Sequence, residues 1–173
     1  MAIVARSRPP LKVALDSNVL FDLAAGENFA ATVLEILREN DAEIYVPPTV
    51  LLELLYEEEH CVVPAMGKLA GRALDSIHGV WKLLPVHLDA NQEAIVRGFA
   101  SALRHKRLLD PQEVNDSFIL GESTQIPANF LLTSDKHLLL IDRDKLHSLF
   151  DEKHIPRVET VAPRKVFSLL RGR

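Results

Sequence analysis

The chain has 173 residues, 47% hydrophobic and 25% charged, so disordered and fibrous classes are excluded and one globular domain with a sizeable core is expected. Its formal net charge of −4 argues against wholesale attraction to nucleic acid, so any nucleic-acid site has to be local. The single cysteine cannot form an internal disulfide, and no apolar run approaches the ~20 residues of a membrane helix, so we expect a cytoplasmic protein without membrane association.

Short apolar runs alternate with amphipathic stretches along the N-terminal half of the chain. Asp16-Ser17-Asn18 closes the first apolar run with residues that favour helix caps. Pro47-Pro48 ends the second run, and either Pro48 or Thr49 can open the next helix. The elements predicted here are a strand over 11–15, a helix directly after it, a helix from a cap at Asn28 to about Glu39, a strand over 42–46 and a helix over 50–58.

The same alternation continues in the second half. Asp110 is the expected N-cap of a helix, because Pro111 then takes the first helical position and Glu113 the third, as in a capping box. The elements predicted here are one or two helices within 60–80, a strand or extended connection over 81–88, a long helix capped by Asp89 or Asn91, a helix from Pro111 to about Gln125, a strand over 130–132, short helical segments over 136–140 and 143–150, and an edge strand over 157–161.

This order of elements predicts the fold class. Strands that alternate with helices favour an α/β protein, here a three-layer α/β/α sandwich with a mostly parallel, twisted sheet covered on both faces. We expect one domain over 11–162, an N-terminal tail over 1–10 and a basic C-terminal tail or short helix over 163–173.

Four acidic residues lie where a strand is predicted to pass into a helix, or within the first two turns of a helix. They are Asp16, Glu53, Asp116 and Asp135. In an open parallel sheet the carboxyl ends of the strands meet at one edge, and sites form where the strand order reverses. We therefore expect these acids to converge at that edge, although they are far apart in the sequence.

Acids gathered in this way favour a divalent metal site. Mg²⁺ and Mn²⁺ are hard cations that prefer carboxylate and water oxygens as ligands. Neighbouring carboxylates repel one another and raise each other's pKa unless a cation neutralises them. A bound ion can activate a water molecule and stabilise charge on a phosphoryl oxygen, so phosphodiester hydrolysis is the natural reaction of such a site.

Other common sites are disfavoured. The seven histidines form no HxxxH pair, and Cys61 has no second cysteine with which to build a zinc site. The chain contains neither a GxxxxGKS or GxxxxGKT motif nor a GxGxxG motif, which are the usual cradles for nucleotide phosphates. Asp16-Ser17-Asn18 also lacks the second aspartate, two positions on, that a haloacid-dehalogenase-type phosphatase uses.

Four stretches resemble, in order and approximate spacing, the motifs of the PIN-domain nuclease family, which includes the VapC-like toxin ribonucleases. They are Leu15-Asp16-Ser17-Asn18-Val19-Leu20, Leu51-Leu52-Glu53-Leu54, Asn115-Asp116-Ser117-Phe118-Ile119-Leu120 and Leu131-Leu132-Thr133-Ser134-Asp135. The resemblance implies a doubly wound α/β sandwich, a Mg²⁺- or Mn²⁺-dependent ribonuclease activity, and metal coordination by the matching acids. Many single-domain members are toxins of toxin–antitoxin pairs, which implies a homodimer and an antitoxin partner.

Some of these assignments have alternatives. Asp16 is either a ligand or a helix cap, and we favour the ligand because Ser17 and Asn18 are equally able caps. Glu57, one turn after Glu53 on the same helix face, could serve in place of Glu53, which we favour because its flanking leucines match the motif. Asp142 and Asp144, which follow Asp135, are additional candidate ligands ranked below the four.

Binding of a nucleic-acid substrate needs positive charge near the acids. Phosphate contacts would position RNA without reading its sequence. The candidate substrate-binding residues are Ser17, Asn18, Thr133, Ser134, Arg104 and Lys136. Further sources of positive charge are Arg97, Lys106 and Arg107 on the predicted helix of Arg104, and Lys68 with Arg72 one turn apart.

The leading hypothesis is a metal-dependent endoribonuclease of PIN type, acting as the toxin of a toxin–antitoxin pair. One alternative is a catalytically weak PIN-like module for interaction or nucleic-acid binding, and a lower-ranked one is a metal-dependent phosphatase. The sequence leaves open the RNA target, the identity and number of the metal ions, and the dimer interface.

Overall fold

The structure is a computed structural model that describes residues 9–171. Most of the predicted N-terminal tail, residues 1–8, lies outside the described residues, as do residues 172 and 173. In the described part the elements are, in chain order, β1 (Lys12–Leu15), α1 (Ser17–Ala25), α2 (Asn28–Glu39), β2 (Glu43–Val46), α3 (Pro48–His60), α4 (Pro64–His78), β3 (Leu84–Pro85), α5 (Ala90–His105), α6 (Val114–Gln125), β4 (Phe130–Leu132), α7 (Lys136–Leu139), α8 (Arg143–Lys153), β5 (Glu159–Val161) and α9 (Pro163–Arg171).

The five strands form one sheet in the order β3-β2-β1-β4-β5, and all neighbours are parallel. β1 is central and pairs with β2 on one side and β4 on the other, with Leu15 opposite Leu132 at the carboxyl end. The strand order therefore reverses between β1 and β4. This arrangement confirms the predicted α/β/α fold with a parallel sheet.

The sheet is buried because helices cover it. Val13, Ala14 and Leu15 of β1 are all buried, which explains why this strand is continuously apolar and does not alternate. The aromatic rings of Phe99 on α5 and Phe150 on α8 stack with centroids 5.2 Å apart. The same core therefore joins helices that are distant in the sequence.

The predicted helix start at Pro111 was wrong. The Asp110 side chain accepts a hydrogen bond from the Gln112 backbone N–H at 2.9 Å, and its carbonyl accepts one from the Glu113 N–H at 2.9 Å. These bonds close a turn, and α6 begins only at Val114. Asp116 consequently lies in the first turn of α6 and not in the second.

The structure also tests the predicted N-caps of α2 and α5. α2 has Glu27 at its N-cap without a side-chain hydrogen bond, so the prediction of Asn28 as the cap was wrong by one residue. Asp89 caps α5 in a full capping box with Gln92, which decides between the two predicted caps of that helix. The capping box formed where Gln92 occupies the third helical position.

The C-terminal segment is a helix, α9, that packs against α2. Val166 and Leu170 are buried, and the Phe167 ring stacks on Phe29 of α2 with centroids 5.4 Å apart.

Among residues 9–171, none of the helices combines the length and apolar character needed to cross a membrane.

Two helical glycines allow a matched test of packing. A Cβ at Gly121 of α6 would lie 3.2 Å from Val96 Cγ1 and 3.4 Å from Phe99 Cδ1, whereas a Cβ at Gly98 of α5 would meet nothing within 4 Å. We expect Gly121→Ala to lower the free energy of unfolding by about 1 kcal/mol, because overpacking outweighs the gain in helix propensity. Gly98→Ala should raise it by ~0.5–1 kcal/mol. Urea unfolding of both variants checks this, and equal stabilisation by the two would contradict it.

Candidate active site

Asp16 follows β1 directly and lies at the strand-order reversal. Only 2% of the residue is exposed, and its backbone N–H donates to the Leu132 carbonyl of β4 at 3.0 Å. Its Oδ1 accepts from the Ser17 N–H at 2.7 Å, and its Oδ2 accepts from Asn18 Nδ2 at 2.7 Å and from the Thr133 hydroxyl at 2.6 Å. The carboxylate is therefore held in one orientation.

Asp16 is also the N-cap of α1, which corrects part of the sequence argument. Ser17 and Asn18 do not cap in its place, because the Ser17 hydroxyl donates to Asp16 Oδ1 at 3.4 Å and the Asn18 side-chain amide donates to Oδ2. Burial raises the pKa of Asp16, while the hydrogen bonds from Thr133, Ser17 and Asn18 oppose that rise. Capping and ligand roles are compatible at Oδ1, because beside the capping bond from the Ser17 N–H it accepts only a long bond of 3.4 Å from the Ser17 hydroxyl, whereas Oδ2 already accepts two short bonds.

The segment after β4 ties a second acid to Asp16. The Thr133 hydroxyl, which donates to Asp16, also accepts from the Asp135 N–H at 2.9 Å, and the Ser134 N–H donates to Asn18 Oδ1 at 2.9 Å. Asp135 caps α7, where its Oδ1 accepts from the His137 N–H at 2.6 Å. The ends of β1 and β4 are thus joined by a continuous hydrogen-bond network.

Glu53 reaches the site from α3. Its Oε1 accepts a hydrogen bond from Asn115 Nδ2 of α6 at 2.8 Å. Burial raises the pKa of Glu53, and repulsion from Asp16 and Glu57 adds to the rise. Glu57, the alternative to Glu53, also lines the groove next to the acids, whereas Glu53 is the one bonded to the Asp116 helix.

Asp116 is the least compensated of the acids. Its Oδ2 atom is buried and has no hydrogen-bond partner in the described part of the protein. Burial, followed by repulsion from Asp135, Asp16, Glu113 and Glu53, raises the pKa of Asp116 to about 7. The four predicted acids are therefore close enough to act on one another electrostatically.

Glu113 is an acid near the site that the sequence argument did not assign there. It is the N-cap residue of α6, adds to the repulsion on Asp116, and its Oε1 lies 3.4 Å from His137 Nδ1. In the sequence, its position three residues before Asp116 could have placed it near the site. The sequence argument instead assigned Glu113 to a capping box with Asp110, and that capping box does not form.

The donor set suits a hard divalent cation. It consists of carboxylate oxygens, one of which is buried and unpartnered. Within residues 9–171, three or more His, Cys, Asp or Glu side chains do not come close enough together to bind one ion directly. An ion at this position would therefore complete its coordination with water, as Mg²⁺ usually does.

The two lower-ranked candidate ligands, Asp142 and Asp144, are exposed residues at the start of α8. Asp142 caps α8, where its Oδ1 accepts from the Lys145 N–H at 3.1 Å, and this bond lowers the pKa of Asp142. Asp144 lies in the first turn of α8 and lines a separate, smaller pocket beside Lys106 and Leu108.

The predicted positive charges fall into two groups. Several are used structurally: Arg97 pairs with Glu93 at 3.8 Å, Lys106 pairs with Glu152, and Arg72 Nη1 donates to the Ala24 carbonyl at 2.8 Å. The side chains of Arg104 and Lys136 make no hydrogen bond or ion pair with the residues that the structure describes. The placement of Lys106 and Arg107 on one helix with Arg104 was wrong, because α5 ends at His105 and Arg107 has a positive φ of 54°.

A groove of about 900 Å³ runs beside the acids between α1, α3, α4 and α6. Its polar lining residues are Ser17, Thr49, Glu53, Glu57 and Asn115. Its apolar part includes Leu52 and Tyr56, which are 64% and 63% exposed. A ligand in this groove would contact both apolar surface and the acidic site.

The electrostatics of Asp116 give a testable pH dependence for the metal-free protein. Its folded pKa of about 7 lies above the unfolded value of 3.8, so the folded state loses stability as pH rises between these values. The free energy of unfolding of Asp116→Asn, relative to that of wild type, should therefore rise by about 1–2 kcal/mol from pH 5 to pH 8, after allowance for solvent screening.

Urea unfolding in EDTA at both pH values measures this gain. Asp75→Asn, at an exposed acid of α4, is the matched control and should show the same difference from wild type at both. A difference for Asp116→Asn that does not change with pH would show that Asp116 is not held in a repulsive environment.

Comparison with known proteins identifies the family. The family model described as "PIN domain" matches residues 13–144. A search of curated proteins found no match. A crystal structure of VapBC2 from Rickettsia felis, bound to a DNA fragment from their promoter, is similar in fold, with a TM-score of 0.61, 18% identity, and coverage of 88% of this chain and 98% of that chain. The chain belongs to the PIN domain family, whose members are nucleases.

Proposed function

We propose that this protein is a metal-dependent endoribonuclease that hydrolyses RNA phosphodiester bonds with Mg²⁺ or Mn²⁺ at the site of Asp16, Glu53, Asp116 and Asp135. At most two of these acids bind the ion directly, and the others act through its water ligands. The observation that carries the proposal is the buried, unpartnered Oδ2 of Asp116 among other carboxylates. Such an atom costs folding free energy, because burial removes its water and no donor replaces it. A cation at the site removes that cost.

The residues around the acids have distinct tasks in this proposal. Thr133 is fully buried and orients Asp16 and Asp135, so it positions the acids. Ser134 is exposed beside them and its hydroxyl is available to a substrate phosphate. A bound ion would lower the pKa of a coordinated water and stabilise charge on the phosphoryl oxygen.

Substrate binding relies on local donors and cations. Ser17 lies in the wall of the groove, Asn18 bonds to the acid network, and Lys136 follows Asp135 on α7 with an exposed side chain. Arg104 on α5 is a second cation without a partner in the described residues, and it would extend the phosphate contacts. These contacts position RNA, and they carry little base specificity.

We further propose that the protein is the toxin of a toxin–antitoxin pair and acts as a homodimer. One solved structure of similar fold is a VapBC2 complex. Large exposed apolar side chains are concentrated on α3, the connection to α4 and the start of α4, and three of them, Leu52, Tyr56 and Met66, line the groove. The set is Leu52, Leu55, Tyr56, Val62, Val63 and Met66. Apolar surface of this kind marks a protein-binding face, which fits an antitoxin.

Cleavage of single-stranded RNA with Mn²⁺ tests the enzyme proposal. We expect Asp16→Asn and Asp116→Asn each to lower the cleavage rate by more than ~100-fold, since loss of even the outer partners of metal ligands costs about 10- to 100-fold. Asp75→Asn is the matched control and should cleave like wild type. Cleavage that survives both site variants would exclude the proposed site.

The alternative functions give different results in the same experiment. An interaction or nucleic-acid-binding module would bind Mn²⁺ or RNA without cleaving any RNA offered. A metal-dependent phosphatase would turn over small phosphomonoesters and leave the RNA intact.

The toxin proposal is tested separately, in cells. Expression should arrest growth, Asp116→Asn should abolish the arrest, and co-expression of a small protein encoded next to this chain should relieve it. Light scattering of the purified protein measures the oligomeric state. Growth arrest by Asp116→Asn equal to that of wild type would contradict a toxin that acts through this site.

A further inference from the structure

Glu122 is a buried acid that the active site does not use. It lies on α6, two turns after Asn115, and only 5% of the residue is exposed. No Lys, Arg or His of the described residues forms an ion pair with it. A buried carboxylate without a cation is costly, so its location calls for an explanation.

Its partners lie at the start of α3. Pro47 is the N-cap position of α3 and supplies no side-chain hydrogen bond, and Pro48 has no N–H to satisfy. The Thr49 N–H is therefore an orphan donor of the first turn, and it donates to Glu122 Oε2 at 3.0 Å. The Thr49 hydroxyl donates to Oε1 at 2.6 Å. Glu122 thus caps α3 from another helix, and the positive end of the α3 dipole compensates its charge.

The same two helices carry two acids of the site. Thr49 and Glu53 are four residues apart on α3, so they share one helix face. Asn115 and Glu122 are seven residues apart on α6 and also share a face. Two hydrogen-bonded links therefore join these faces, Glu122 with Thr49 and Asn115 with Glu53.

α6 is itself fixed on its other side. Gly121, next to Glu122, packs so closely on α5 that an added Cβ would lie 3.2 Å from Val96 Cγ1. α6 therefore cannot move closer to α5 without a clash, and the hydrogen bonds from Thr49 to Glu122 tie α3 to α6.

The geometry points to Glu122 as a positioning residue that, through Thr49, sets the place of α3 on α6 and so holds the Glu53 carboxylate near Asp116. This inference rests on the proposed metal-dependent nuclease function. Asp16 and Asp135 are then held by the strand ends, and Glu53 and Asp116 by the contact between α3 and α6.

Four variants test the link. Glu122→Met keeps the length of the side chain but removes both hydrogen bonds, and Thr49→Val removes one. Glu122→Gln and Thr49→Ser keep hydrogen-bonding groups and are the rescue controls. We expect the first pair to weaken Mn²⁺ binding and to lower kcat for RNA by about 10-fold each, with KM within about twofold, and the controls to stay near wild type.

A readout that does not depend on metal or activity is the side-chain amide NMR signal of Asn115 in the metal-free protein. Glu122→Met should shift or broaden it, because the Asn115–Glu53 bond changes, whereas the Asn18 amide signal should not move. Unfolding measurements show whether each variant is folded under the conditions used.

Two outcomes are distinguishable. If Glu122→Met and Thr49→Val lose stability while their Mn²⁺ affinity, kcat and Asn115 signal match wild type, Glu122 is only a helix cap and the inference is wrong. If wild type itself neither binds Mn²⁺ nor cleaves RNA, the proposed function fails. The Asn115 signal then still decides whether Glu122 positions Glu53.

Discussion

The hydrogen bond from the Thr133 hydroxyl to Asp16 Oδ2, 2.6 Å long, connects the two strands between which the sheet order reverses. Both residues stand at the carboxyl ends of their strands, and the parallel register places Leu15 opposite Leu132 just before them. Asp135 then follows by two residues, held through the same hydroxyl. The positions of Asp16 and Asp135 thus derive from the pairing of the strands that they directly follow, which gives the site a rigid base.

The helices add acids to this base at an electrostatic cost. Glu53 and Asp116 arrive from α3 and α6, and burial raises the pKa of both. The protein could lower this cost with an arginine or lysine among the acids, yet the cations Arg97, Lys106 and Arg72 are used in contacts elsewhere. An uncompensated cluster of this kind is typical of a functional site, where binding of a ligand restores the lost stability.

The sequence predicted the parallel sheet and the approximate position of its strands, because short apolar runs are specific signals in a sheet covered on both faces. It was less successful where local signals compete. Asp110 and Pro111 suit a helix start, but a turn closed by the Asp110 side chain formed instead and moved the start to Val114. Glu122 had no local signal at all, because its partner Thr49 is 73 residues away in the chain. Contacts of that range depend on how helices pack, which periodicity does not encode.

The central position of β1 has a consequence for the order in which the protein is made. β1 is synthesised well before its partner β4, which begins only at Phe130. Asp16 and Asp135 therefore cannot meet until β4 and the segment after it have left the ribosome, since a domain folds as a unit once its distant strands are available. A nascent chain that has not yet reached β4 lacks the acidic site, so no ligand of that site can bind while the first strands are being translated.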